Sequence, residues 1–174
     1  MTHLDELIAH WNKAGIAVPE GASPLDITNF EQNNNVLLPD DFSNYFSTVN
    51  GMGERGTWDS LLFSFWCLQD VVTIADDVPD RAAKFQESNR YFMFADHSIA
   101  LPTFAIRLSP NTAEPNPIAA VITDFGALDV ENVFESFTEF IAVYLNTPEV
   151  LMDKIPAQTV QRLNETRGNS DTAE

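Results

Sequence analysis

Ile27-Thr28-Asn29-Phe30-Glu31-Gln32, then Leu37-Leu38-Pro39-Asp40-Asp41-Phe42, closed by Asn50-Gly51, is the stretch on which the reading of this chain turns. Ser23-Pro24 opens a short helix just before it, because proline is welcome at a first helical position. Leu25, Ile27 and Phe30 give that helix an apolar side, and Asn33-Asn34-Asn35 ends it. Pro39 starts another helix, with Asp40 and Asp41 in the first turn, where the helix dipole favours negative charge. Phe42, Tyr45, Phe46 and Val49 follow helical spacing and form a stripe to be buried; Asn50-Gly51 is a stop signal.

Upstream, Thr2 is a cap for a first helix, with Asp5 as its capping-box partner. Leu4, Leu7, Ile8 and Trp11 make one apolar face, and Gly15 ends it. Downstream the pattern changes. Leu61 to Leu68 reads as an aromatic-rich strand, and Tyr91 to Ala95, Thr103 to Leu108 and Ile118 to Thr123 as three more. Gln69 to Asp77 is read as a short helix around Val71, Val72 and Ile74, and Arg81 to Ser88 as a helical continuation. Ser136 and Glu139 form a capping-box pattern ahead of Phe137, Phe140, Ile141, Tyr144 and Leu145. Val150 to Leu163 is weakly amphipathic. Helices, then consecutive strands, then helices predict an α+β class. The expected organisation is a single domain over residues 1–163, with a disordered polar tail at 164–174.

The chain has 174 residues, 44% of them hydrophobic and 13 of them Phe, enough for a real core and too apolar for global disorder. It carries 26 acidic residues against 9 basic ones, a formal net charge of -17. Between Ala14 and Asp80 the one basic residue is Arg55, and between Leu108 and Asp153 there is none. Such a surface repels nucleic-acid phosphates and anionic lipid and attracts basic partners; solubility alone is the bland reading of the same charge. One cysteine, Cys67, excludes an internal disulfide and points to a reducing compartment. No signal peptide is evident and no apolar run reaches membrane-spanning length, so the expected location is the cytoplasm.

The search for chemistry returns little. His3, His10 and His97 are scattered, no ligand-spaced cluster of His, Cys and carboxylates occurs, and neither metal nor cofactor is expected. Asp96-His97-Ser98 has triad residue types in a row, but successive strand residues point to opposite faces and cannot form a relay. Gly51-Met52-Gly53-Glu54-Arg55-Gly56 lacks the Gly-Lys-Ser/Thr ending of a phosphate loop and reads as a flexible turn presenting Glu54 and Arg55.

The order of pieces described above, Ile-x-x-Phe-Glu, Leu-Pro-x-x-aromatic and a helix ending in Asn-Gly, resembles the SMI1/KNR4 family of the SUKH superfamily. Leu68-Gln69-Asp70-Val71, Phe92-Met93-Phe94-Ala95-Asp96 and Ser136-Phe137-Thr138-Glu139-Phe140-Ile141 are similar to later family segments, so the resemblance spans Ile27 to Leu145. It implies an α+β fold with a mainly antiparallel, bent sheet and flanking helices; that the chain is no enzyme is the expectation from the motif search. Bacterial members resemble immunity proteins of polymorphic and contact-dependent toxin systems, and fungal members act as regulatory interaction proteins.

The resemblance and the charge together lead to an immunity protein that neutralises a cognate, basic toxin domain, possible nucleases included, through an acidic surface. The residues expected to contact that partner are Glu54, Trp58, Asp59, Asp76, Asp77, Asp80, Asp96 and Asp124, all in or beside predicted loops. A regulatory or scaffold domain of the same fold without a toxin is the alternative, and a hydrolase using Asp96 and His97 a distant third.

Overall fold

A computed structural model describes residues 2–97, 102–123 and 126–170. Helices α1 (His3–Lys13), α2 (Pro24–Asn34) and α3 (Asp40–Thr48) come first. Strands β1 (Phe63–Phe65) and β2 (Val72–Thr73) follow, then one-turn helices α4 (Ile74–Asp77) and α5 (Pro79–Ala82). β3 (Tyr91–His97), β4 (Thr103–Arg107), β5 (Ile118–Ile122) and β6 (Asp129–Phe134) complete the sheet, and α6 (Phe137–Asn146), α7 (Glu149–Met152) and α8 (Ala157–Ser170) end the described chain.

The sheet runs β1-β3-β4-β5-β6, with β2 beside β3 on the same edge as β1, and its named pairings are antiparallel. The α+β class read from the sequence is what the chain adopts. A register shift between Met93 and Ala95 marks a bulge in β3, the kind of irregularity that bends a strand. One face of the sheet buries Phe63, Phe65, Phe92, Phe94, Phe104 and Ile106 against Trp11 of α1, Phe42 and Phe46 of α3 and Phe140 of α6. The opposite face carries a smaller cluster built on Trp66, Ile74, Ala82, Tyr91 and Met93, with Phe85, Leu128 and Val130 packed on it.

The motif stretch is a set of wires. The Glu31 carboxylate accepts the Leu38 N–H at 2.8 Å, tying α2 to the start of α3. Asp41 Oδ2 accepts both the Thr138 N–H (2.9 Å) and O–H (3.0 Å), so it serves an orphan donor in the first turn of α6. Asn50 Oδ1 accepts the Leu68 N–H at 2.8 Å. Gly51 sits at φ +69°, where a Cβ would lie 2.6 Å from the Trp66 backbone, so only glycine fits. Thr2 with Asp5 and Ser23 with Asp26 form full capping boxes. Ser136 caps α6, but Glu139 reaches the Glu135 N–H instead of returning to Ser136.

Several elements depart from the sequence reading. The strand at Leu61 to Leu68 shrinks to Phe63–Phe65, because a turn consumes its start and Asn50 captures its end. Gln69 to Asp77 is no single helix: a 3-10 turn (Leu68–Asp70) ends at Val71, and the β-branched pair Val72-Thr73 joins β3 before Thr73 caps α4. The segment from Arg81 leaves the helix after Ala82 and continues in turns. β6 was not read from the sequence, since Asp129-Val130-Glu131-Asn132 puts charge on an edge strand. Val150 to Leu163 is split into α7 and α8 around Pro156. The polar stretch from Asn164, expected as a tail, continues α8 to Ser170, and residues 171–174 lie outside the described ones.

Candidate functional site

Twelve residues of loop, Gly51 to Leu62, lead from the close approach at Gly51 to β1, and their two ends are fixed differently. At the first end the Met52 N–H donates to the Phe65 carbonyl at 2.9 Å. At the second, Asp59 folds the chain into a tight turn: its Oδ1 accepts the Leu61 N–H (2.8 Å) and the Phe63 N–H (2.9 Å). The other oxygen accepts the Tyr144 O–H at 2.5 Å, and Tyr144 in turn accepts the Trp11 indole N–H at 3.0 Å. Asp59 is 5% exposed. It was expected to meet a partner; instead it is a buried anchor joining the loop to α1 and α6, with its carboxylate already used. Burial first, and the Asp59 carboxylate second, push the Tyr144 phenol far above its ordinary range.

The turn that Asp59 closes places Leu62 at φ +68°, a left-handed conformation costing a branched residue roughly 1–2 kcal/mol, and leaves its side chain 47% exposed. In the same loop Trp58 is 52% exposed. Two large apolar side chains are thus held at the surface, one of them in a strained backbone. Strain of this kind collects at functional sites.

Between Gly51 and Trp58 the loop lays Arg55 over Trp66, its guanidinium carbon 4.2 Å from the ring centroid. The Trp66 indole N–H donates to Asp96 at 2.5 Å, and the Trp66 backbone N–H to the Phe94 carbonyl at 2.8 Å. Glu54 is exposed beside Arg55. Asp76, Asp77 and Asp80 are exposed on α4 and α5, whose Ile74 and Ala82 pack in the same cluster as Trp66. The fold therefore brings Glu54, Trp58 and Asp96 around one loop, and sets the three α4–α5 acids on the neighbouring part of the same sheet face. Asp76 also accepts the Thr73 hydroxyl at 2.7 Å, so part of its job is to close a cap. Asp124 lies outside the described residues.

Asp96 and His97 serve opposite faces of β3. Asp96 meets Trp66, while His97 packs on Phe63 with ring centroids 4.6 Å apart and places Nε2 3.0 Å from the Leu61 carbonyl oxygen. They form no relay with each other, and Ser98 lies outside the described residues. Among the described residues no group of three or more His, Cys, Asp and Glu is arranged to hold a metal ion, and no helix is long and apolar enough to cross a membrane. Cys67 is half-buried and donates to the Gly53 carbonyl; burial, then Asp70, raises its thiol above the ordinary value, so it is not an activated nucleophile.

A cavity of about 540 Å³ opens between α5, the start of β6 and α8, with Asp80, Arg81, Lys84, Asp129 and Arg162 among its walls. Arg162 and the buried Asp129 face each other there in a two-pronged ion pair, to which Thr159 adds a hydroxyl. This pair seats α8 on the sheet.

The sequence reading did not single out Leu62, exposed at a positive φ, or Trp66, the buried ring beneath Arg55. The available signal was Arg55 itself, a lone cation in a long acidic stretch. The model of the SMI1 / KNR4 family (SUKH-1) matches residues 21–143, from just before α2 into α6. No curated protein matches the chain significantly.

Proposed function

This chain belongs to the SMI1/KNR4 family (SUKH-1), and from that premise we propose that it is an immunity protein, binding and neutralising a cognate basic toxin domain through the Gly51–Leu62 loop and the acids around it. The observation that carries this reading is the pair Trp58 and Leu62, exposed on a loop that Asp59 and Gly51 hold rigid. Covering the exposed half of each side chain is worth roughly 2–3 kcal/mol gross, since apolar burial contributes about 25 cal/mol per Å². Rigid presentation lowers the ordering cost of binding, so more of that energy appears as affinity.

The acids act at longer range. With a net charge of -17 the chain steers a cationic partner, raising the on-rate by about 10- to 1,000-fold at low salt. Glu54 stands in the same loop as the apolar pair, Asp96 bonds the Trp66 indole beneath that loop, and Asp76, Asp77 and Asp80 are exposed on the helices packed in the Trp66 cluster; in this proposal they supply the acidic surroundings of an apolar contact. Asp124 belongs to the same proposal by its charge alone. The protein works in the cytoplasm, where it meets a delivered toxin.

Co-expression of the chain with a toxin domain sought among the neighbouring genes tests the reading. Survival of the host, with a complex on a sizing column that weakens steeply as salt rises, is the expected result. Continued killing with no complex overturns it in favour of a regulatory domain that serves no toxin.

A further inference from the structure

Arg55 is out of place on a surface meant for a cationic partner. It is the single basic residue between Ala14 and Asp80, and it stands in the middle of the proposed binding loop. Among the described residues it forms no ion pair; its guanidinium rests on the Trp66 ring. Trp66 is 4% exposed with Arg55 in place. Its other surroundings are Ile74, Ala82, Tyr91 and Met93 of the second core cluster.

Trp66 is built to stay still. Its backbone N–H is bonded to Phe94, its indole N–H to Asp96, and the Gly51 backbone presses against its carbonyl. The Arg55 backbone sits in a turn that the Thr57 N–H (3.1 Å) and hydroxyl (2.8 Å) close on the Glu54 carbonyl, but its side chain is held by no ion pair among the described residues. Arg55 is exposed, and Gly53 and Gly56 on either side of it, at φ +90° and +93°, have no contact a side chain would disturb more closely than 3.9 Å. A fixed aromatic face with a carboxylate at its edge, covered by an exposed guanidinium that makes no ion pair, is a guanidinium receptor with an internal occupant.

We infer that Trp66, held by Asp96, is a receptor for an arginine side chain of the partner protein, and that Arg55 occupies this receptor in the free chain and is displaced on binding. The inference rests on the proposed function for the existence of a basic protein partner, but not for the chemistry of the receptor. Displacement has two consequences. The guanidinium–ring contact is exchanged rather than created, so the arginine adds selectivity more than affinity. Partners with lysine at this point fare worse, because an ammonium lacks the planar face that stacks on indole.

The test needs no toxin. Tetra-arginine peptide is titrated into the intact, ¹⁵N-labelled chain while the three indole N–H resonances are followed, that of buried Trp11 serving as an internal blank. In Arg55→Ala the Trp66 resonance is expected to shift saturably, with an affinity about ten-fold above that of the unsubstituted chain, a change within the range of a partly desolvated cation–π contact. Lys13→Ala makes the same change in net charge on α1, far along the sequence from the loop, and is expected to leave the Trp66 titration where it was. Asp96→Asn in the Arg55→Ala background is expected to weaken it, and tetra-lysine to bind less well than tetra-arginine. Equal affinities for Arg55→Ala and Lys13→Ala, or a shift confined to Trp58, overturn the inference. Failure of the toxin co-expression experiment alongside a positive peptide titration would overturn the immunity reading and leave the receptor standing.

Discussion

Replacing Asp59 separates the two roles an acid in this loop can have. In the structure its carboxylate accepts from the Leu61 and Phe63 N–H groups of its own turn and from the Tyr144 hydroxyl of α6, the last two bonds buried and the first partly so. Asp59→Ala leaves them without partners. A buried donor deprived of its acceptor costs about 1–3 kcal/mol, and neighbours are not additive, so the expected loss is about 3–6 kcal/mol. That is a large part of the roughly 5–15 kcal/mol holding a domain of this size together. Asp59→Asn keeps one oxygen for the two backbone donors but turns an amide towards Tyr144, whose hydroxyl already accepts from Trp11; its expected cost is about 1–3 kcal/mol. Urea unfolding followed by circular dichroism reads both, with an unchanged slope marking a pure stability effect. Tyr144→Phe combined with Asp59→Asn should lose clearly less than the sum of the two single changes, because both act on one bond. If Asp59→Ala unfolds within about 0.5 kcal/mol of the unsubstituted chain, the buried-anchor account of this residue is refuted.

Leu62→Asn places at φ +68° a residue that tolerates the left-handed region, so stability should stay within about 1 kcal/mol by thermal or urea unfolding while partner binding falls at least ten-fold. The three tyrosines all carry phenols raised chiefly by burial: Tyr45, Tyr91 and Tyr144. A raised folded value means the folded state keeps protons the unfolded chain releases, so their contribution is intact below about pH 10 and is lost above it, by up to about 1.4 kcal/mol per unit and per tyrosine. Absorbance at the phenolate band should therefore rise together with loss of ellipticity, not ahead of it. At the acid end, Arg162 and then Thr159 hold the Asp129 carboxyl below its ordinary range, and Arg90 and then Arg107 do so for Glu114. Lowered folded values give stability that is present above the unfolded carboxylate range and lost as pH falls below about 4. Arg162→Ala strands the buried Asp129 and should cost about 2–4 kcal/mol while exposing α8 to limited proteolysis ahead of the sheet.

What could be read from the sequence follows a physical line. Elements with local signals were legible: the capping boxes at Thr2 and Ser23, the stripe Phe42-Tyr45-Phe46 and the uniformly apolar Ile118–Ile122 all state their structure within a few residues. β2 and β6 were not. A two-residue strand exists only because β3 offers it an edge, and β6 breaks its apolar pattern with a buried Asp129, held by Arg162, and exposed Glu131 and Asn132. The family motifs were legible as a signature and turned out to be fold wiring: Glu31, Asp41 and Asn50 spend their side chains on Leu38, Thr138 and Leu68. Site residues suffered most where the choice depended on direction. Asp59 and Glu54 look alike in sequence, five positions apart in one loop, yet one faces Tyr144 and the other water. Leu62 carried no local sign of exposure, because the positive φ that turns it outwards is imposed by the carboxylate three residues earlier.

The central claim, the proposed toxin-binding surface centred on Trp58 and Leu62 with acids around it, is tested most directly by identifying a toxin domain through a search of the neighbouring genes and titrating it calorimetrically into the unsubstituted chain and into Trp58→Ala. The account predicts a one-to-one complex with the unsubstituted chain, an affinity lower by about 100-fold in Trp58→Ala, and equal unfolding midpoints for the two free proteins, as befits an exposed anchor. No heat of binding for the unsubstituted chain, or the same affinity with and without the Trp58 indole, would contradict it.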